Sequence, residues 1–358
     1  MADYVDACVT DLGRRFAGGA LPPATSVFFG GGTPSLLPAE LLVRVLDAIP
    51  RVDDAEVTVE CNPDSVDAAK LATYRDAGVN RLSFGVQSSS VHVLAALNRT
   101  HDRENVARSI ASARDVGFAR VSVDLIYGTP GESLDDWRAT LDDVLALEPD
   151  HVSAYALTVE PATPLGKRVA EGRALAPDDD DQADKYAIAD VRLAAAGFEW
   201  YEFSNWARAG QECRHNLLYW TRGDYLAIGC AAHGYTHGRR WWTVRTPERY
   251  IERVAGTDPE AATAGTEAGS ETLAPGARAE EVFSLAIRLR GGAAIGEPAR
   301  AVASALAEGG LLEPDALPAR AVLTRAGRLM GSDVTTRLLL AGAAVALEAP
   351  VVVGTRYH

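Results

Sequence analysis

The chain has 358 residues, 47 % of them hydrophobic, and a net charge of −14. That length can bury one large core plus a smaller one, so one large or two ordinary domains are expected. The acidic balance excludes a nucleic-acid-binding face, because phosphate neutralisation needs clustered Lys and Arg. No membrane span is expected either: the apolar stretch Leu338–Val353 contains Glu348 and Pro350 and falls short of the roughly 20 residues required. Cys8, Cys61, Cys213 and Cys230 form no C-x-x-C pair and no disulfide framework, which suits a reducing cytoplasm, and no signal peptide is visible.

In chain order, an amphipathic helix is predicted over Tyr4–Phe16 with no strand before it. A rhythm follows. Short β-type runs at Thr25–Phe29, Glu56–Glu60, Arg81–Val86, Val121–Ile126, His151–Leu157 and Glu199–Phe203 are separated by helical patterns. The helices are expected at Pro38–Ile49, Ser65–Ala77, Arg103–Val116, Ser133–Leu147 and Gln182–Ala196. Gly78, Gly117 and Gly197 sit where left-handed C-caps are wanted, just before the next strand. This is the alternation of a parallel α/β fold, shared by doubly wound sheets and barrels.

Polar residues cluster at the predicted strand ends. The first run leads into Gly30, Gly31, Gly32 and Thr33, where the missing Cβ atoms let backbone approach a ligand closely. A tight turn without a ligand is the competing explanation. A phosphate loop is excluded because no Lys follows, and the dinucleotide pattern fails because Ser35 occupies its third glycine position. Glu60 closes the next run, Gln87 the one after, and Asp124 lies on the fourth. Arg99 and His101 follow Gln87 in L-N-R-T-H. In parallel α/β barrels ligand sites are built at this face. A single strand-end carboxylate is usually a cap or turn former, but four residues on successive elements suggest a zwitterion joined to a nucleoside. Glu60 suits an ammonium, Arg99 a carboxylate, and Gln87 with Asp124 a pair of ribose hydroxyls.

The ordered motifs G-G-G-T-P, V-E-C-N-P-D, L-S-F-G-V-Q, L-N-R-T-H and V-D-L-I-Y-G-T-P-G resemble the radical S-adenosylmethionine proteins of the oxygen-independent coproporphyrinogen oxidase family. The resemblance spans nearly the whole chain. It implies a partial (β/α)6 barrel over residues 1–254, with S-adenosylmethionine held by Gly30, Gly31, Gly32, Thr33, Glu60, Gln87, Arg99 and Asp124. It also implies a [4Fe-4S] cluster that the family binds through C-x-x-x-C-x-x-C after its first strand. No such motif is present here, so no metal ligand is assigned in this chain. Because the sequence opens at the helix that should follow that loop, a preceding strand and loop are expected upstream.

A second distinctive region, Trp200–Tyr235, carries H-N-L-L-Y-W and A-A-H-G. It resembles the heme-chaperone branch of that family rather than the dehydrogenase branch. His215, Tyr219, Trp220 and His233 are the heme candidates, since imidazole ligates iron and aromatic faces suit a macrocycle. The same residues could instead close the open edge of the barrel without touching heme. Cys213, beside His215, is a further thiolate candidate with a structural default, and R-R-W-W at Arg239–Trp242 suits edge packing.

Residues 255–277 read as a Gly/Thr/Ala-rich linker or long loop. Beyond it, 278–345 resemble the family's helical, winged-helix-like C-terminal domain. Helices are expected at Glu280–Leu289 and Pro298–Ala307, then a strand at Leu323–Met330 and a helix at Val334–Leu340; residues 346–358 form an unassigned tail. Three functions remain open. One is a heme chaperone that binds S-adenosylmethionine, takes heme as cargo and delivers it to hemoproteins. Another is a coproporphyrinogen III dehydrogenase using the 5'-deoxyadenosyl radical, and the third is a cluster-free scaffold for heme or partners. A homodimer is compatible with each.

Overall fold

The computed structural model describes residues 1–17, 19, 21–258 and 265–344. The 346–358 tail, and residues 259–264 of the expected linker, lie outside these. The chain divides into two compact units: residues 1–217, 226–234 and 241–269 form the first, and residues 218–225, 235–240 and 270–358 are assigned to the second.

The first unit opens with helix α1 (Ala2–Ala17), and the rhythm read from the sequence then appears as strand and helix in turn. The elements are β1 (Ala24–Phe29), α2 (Ala39–Asp47), β2 (Arg51–Cys61), α3 (Ala68–Asp76), β3 (Arg81–Gln87), α4 (Val91–Ala96) and α5 (Arg103–Val116). There follow β4 (Val121–Tyr127), α6 (Leu134–Leu145), β5 (His151–Ala156), α7 (Pro164–Ala170), α8 (Asp179–Ala195), β6 (Glu199–Glu202) and β7 (Asn205–Ala207). The sheet order is β1-β2-β3-β4-β5-β7-β6, with β1 to β5 parallel. Parallel strands twist right-handedly, so this open sheet curls into a half-barrel. Gly78, Gly117 and Gly197 have φ of 96°, 98° and 84°, the left-handed values expected of helix-ending glycines.

The edge departs from the expected simple alternation. β6 does not pair with β5; the chain turns back after Glu202, and β7 lies between them, antiparallel to both. The two-residue turn escapes a reading based on βα periodicity, because β7 has only three residues.

Strand periodicity sorts side chains between two faces. Val57 and Val59 of β2, Leu82, Phe84 and Val86 of β3, Val121, Val123 and Leu125 of β4, and Val152 and Ala154 of β5 join one core. Leu42, Leu46, Leu71, Tyr74, Ile110, Trp137 and Leu141 of the covering helices complete it. The intervening residues Glu56, Thr58, Glu60, Arg81, Ser83, Ser122, Asp124, His151 and Ser153 therefore face the concave inner side.

Later elements are α9 (Arg214–Thr221), β8 (His233–Thr236), β9 (Arg239–Thr243), α10 (Pro247–Gly256) and β10 (Glu267–Thr272), with a sheet order β10-β9-β8. α1 packs on α10 through Ala7, Cys8, Tyr250 and Val254. The segment 255–277 is thus more structured than a linker: it holds the end of α10, all of β10 and the start of the next helix. In the second unit that helix is α11 (Pro275–Ala286), followed by β11 (Ala293–Ala294), α12 (Arg300–Glu308), β12 (Arg320–Ala321), α13 (Arg325–Leu329) and α14 (Gly331–Leu340). Of the strand expected at Leu323–Met330, only Leu323 makes a β-bridge, to Leu312, and Arg325–Leu329 is helix instead. Thr324 Oγ1 accepts the Gly327 amide at 3.0 Å, and this cap outweighs the local apolar pattern.

Candidate functional site

The glycine loop leaves β1 with Gly31 and Gly32 at φ 81° and 64°, a left-handed pair that side-chain-bearing residues rarely adopt. Gly30 is required for a different reason: a Cβ there would lie 2.4 Å from the Phe28 ring and 3.1 Å from Glu60 Oε1. The Gly31 amide donates to Glu60 Oε2 at 3.1 Å. Thr33 precedes the short turn Pro34–Leu36 without capping it through its side chain. Behind the loop, Ser35 Oγ accepts the Asn62 amide at 3.0 Å, and Lys70 Nζ donates to the Ser35 carbonyl at 2.7 Å. This support holds the glycines beside β2.

Glu60 pairs in register with Ser83, and Gly85 with Asp124, so the ends of β2, β3 and β4 converge on the inner face. Both Asp124 oxygens accept from Ser83 Oγ, at 3.1 and 3.0 Å. Burial pushes the Asp124 carboxyl above its usual range, against the lowering effect of Ser153, Ser83 and Arg81. Burial also raises Glu60, and the Asp124 charge adds to that. Neither carboxylate forms a salt bridge among the described residues, although the Arg81 charge acts on Asp124 from further off. Gln87 is buried at a register shift with φ 65°, a strained backbone that costs roughly 1–2 kcal/mol and singles out the position. A Cβ at Gly85 would lie 2.8 Å from Gln87 Nε2, so glycine there gives the amide its room.

Arg99 is not drawn into this group. It is exposed beyond α4, and its side chain makes no ion pair among the described residues. His101 is buried, with Nε2 2.8 Å from the Val86 carbonyl, and so steadies the end of β3.

The other end of the same face is closed by internal partners. Arg81 Nη1 lies 3.7 Å from Glu56 Oε2 and donates to the Gln211 carbonyl at 2.9 Å, with both charged groups buried. His151 and Tyr201 are 2.8 Å apart, and Cys213 Sγ and the His215 amide both donate to Glu56 Oε1. His215 Nδ1 sits 2.9 Å from Ser26 Oγ, and the ring stacks on Phe28 at 5.2 Å. Burial pushes the His215 imidazole down to about 4, so it is neutral at physiological pH.

The heme candidates fall in different units. His215 and His233 belong to the first; Tyr219 and Trp220 belong to the second. His233 is exposed, 6.1 Å from the Trp242 ring. Tyr219 packs edge-on against Tyr225 at 4.8 Å, and Arg288 lies over Trp220 at 5.0 Å. Of the R-R-W-W run, Trp241 is fully buried under Arg15, as edge packing predicts.

The cysteines do not fit an iron-sulfur cluster. Burial raises the Cys8 and Cys213 thiols to about 12 and the Cys61 thiol further still, and among the described residues no group of three His, Cys, Asp or Glu could hold a metal. Thiolates are what such clusters need. The carboxylate pair, the open glycine loop and Gln87 do fit a cationic nucleoside such as S-adenosylmethionine.

Sequence reasoning from strand ends missed Ser83, Ser153, Tyr155, Glu202 and Asn205 on this face. For Ser83, Ser153 and Tyr155 the signal was the period-two run of polar residues along β3 to β5; Glu202 and Asn205 reach the face only through the β5–β7–β6 pairing.

Residues 14–144 match the Radical SAM superfamily. The Mycobacterium tuberculosis (strain ATCC 25618 / H37Rv) heme chaperone HemW is 45 % identical over 325 residues, covering 89 % of this chain and 81 % of that protein. The Bacillus subtilis heme chaperone HemW is 38 % identical over 258 residues, 71 % of this chain and 68 % of that one. The structure of the radical SAM enzyme coproporphyrinogen III oxidase (HemN) from Escherichia coli aligns with a TM-score of 0.78 at 21 % identity. It covers 94 % of this chain and 82 % of its own, which confirms the half-barrel fold. With that fold and identity near one-half across most of its length, the chain belongs to the HemW family of radical SAM proteins.

Proposed function

We propose that this chain is a heme chaperone that binds S-adenosylmethionine on the inner face of its half-barrel and delivers heme to hemoproteins in the cytoplasm. The observation that carries the nucleoside site is the Glu60–Asp124 pair, two raised carboxylates that no salt bridge among the described residues neutralises. Placing a ligand ammonium beside Glu60 relieves that repulsion. The Gly30–Gly32 backbone lets the methionine end approach, and Gln87 and Asp124 take the ribose hydroxyls; exposed Arg99 meets the ligand carboxylate only if its side chain swings inward. If S-adenosylmethionine binds there, Glu60, Gln87 and Asp124 would hold and orient it.

Heme as cargo is supported by the chain's identity to proteins named as heme chaperones, and by exposed Tyr219 and His233 at the H-N-L-L-Y-W and A-A-H-G motifs. The likeness to HemN concerns fold alone. Calorimetry with S-adenosylmethionine, and heme titration followed by transfer to an apo-hemoprotein, test the reading. Binding of both ligands and transfer of heme are expected. No heme uptake, or deoxyadenosine formation that depends on coproporphyrinogen, would overturn it.

A further inference from the structure

Ser153 Oγ donates to Asn205 Oδ1 at 2.6 Å, and Ser153 stands in register between Asp124 of β4 and Asn205 of β7. A serine hydroxyl has one hydrogen. It can satisfy Asp124 or Asn205 at a given moment, not both, so its rotor is a two-state element. From Asn205 the bonds run on: Nδ2 donates to Glu202 Oε1, and that oxygen also accepts from Asn216 Nδ2 at 3.4 Å. Asn216 donates in addition to the Tyr201 hydroxyl at 3.1 Å. Asn216 is the second residue of H-N-L-L-Y-W, in the first turn of α9. Ser153, Asn205 and Glu202 are all buried, so these bonds are not exchanged with bulk water.

The geometry points to Ser153 as a positioning residue whose single hydroxyl hydrogen couples occupancy of the Asp124 end of the inner face to the anchoring of the H-N-L-L-Y-W helix. It rests on the reading that ribose hydroxyls of S-adenosylmethionine donate to Asp124. When they do, the added donors compete with Ser153 for the Asp124 oxygens, and the balance of the Ser153 hydrogen shifts further toward Asn205. The Asn205 amide is then held by Ser153 and Glu202 together, and Glu202 is fixed beneath Asn216. Without the ligand, Asp124 competes for that hydrogen and the hold loosens. Linkage makes the effect reciprocal: tightening α9 favours S-adenosylmethionine.

The test is hydrogen exchange of peptides spanning 214–221 in the full chain, with and without saturating S-adenosylmethionine, beside calorimetry for affinity. In the wild type the ligand should slow exchange there by about fivefold or more, the lower range of measured site-to-site couplings. In Ser153→Ala the affinity falls, yet at saturation the protection of 214–221 should disappear; Ser153→Thr, which keeps a hydroxyl, should restore it. Equal protection in wild type and Ser153→Ala overturns the coupling, as does ligand binding by wild type with no change at 214–221. No calorimetric binding by wild type is a different failure. It removes the S-adenosylmethionine reading itself, and this inference with it.

Discussion

Glu56 and Glu60 are four residues apart on β2 and face the same side of the sheet, yet they have opposite fates. Glu56, toward the strand start, is buried with Arg81, Cys213 and the His215 amide around it. Glu60, at the strand end, has one backbone amide and a second carboxylate as neighbours. The lesson is that the inner face is completed by the protein at one end and left for a ligand at the other. A buried ion pair is costly to break, whereas an unpaired carboxylate pair is costly to keep without a cationic partner.

The largest effect that would sharpen this contrast is at the closed end. Arg81→Met strands Glu56 without its guanidinium and should destabilise the chain by about 3–5 kcal/mol, seen in chemical denaturation. A loss within 1 kcal/mol would mean that the Cys213 and His215 donors already suffice. Glu60→Gln or Asp124→Asn should do the reverse, with unfolding little changed or improved. S-adenosylmethionine affinity should meanwhile drop on the order of ten- to a hundredfold, as loss of a charged hydrogen bond predicts. If either variant unfolds the chain and spares binding, the two ends do not differ in kind.

Smaller changes follow from backbone and pH. Gly31→Ala forces a side chain into the left-handed region and should cost about 1–2 kcal/mol, with the glycine loop weakened for ligand. The raised Glu60 and Asp124 carboxyls keep their protons to higher pH in the folded chain than in the unfolded one. Stability from them is therefore present at low pH and lost as pH rises through the raised range. A ligand ammonium prefers the ionised form, so affinity for S-adenosylmethionine should strengthen over that same rise. A pH-independent affinity would remove Glu60 from the ammonium. His215 works in the opposite sense: held neutral down to about 4, it costs stability as pH falls from 6.5 toward that value. His215→Asn should flatten that acid limb in thermal melts, and the heme Soret band of the same variant reports whether His215 ligates iron.

Much of this was legible in the chain. Alternating β-type and helical runs, with glycines at 78, 117 and 197 ending the helices, determined the parallel α/β architecture, because each signal is local and repeats. The triple glycine, Glu60, Gln87 and Asp124 were readable for the same reason: each stands at or near a strand end, where barrels place their ligands. Tertiary structure alone decided the rest. It inserted β7 between β5 and β6, left Arg99 exposed apart from the carboxylates, and set Ser153 between Asp124 and Asn205. It also turned Glu56 inward to Arg81 while leaving Glu60 open. Local pattern reports which face of a strand a residue occupies. Which partner it meets there depends on strands and helices brought together from tens to more than a hundred positions away, and that is information only folding supplies.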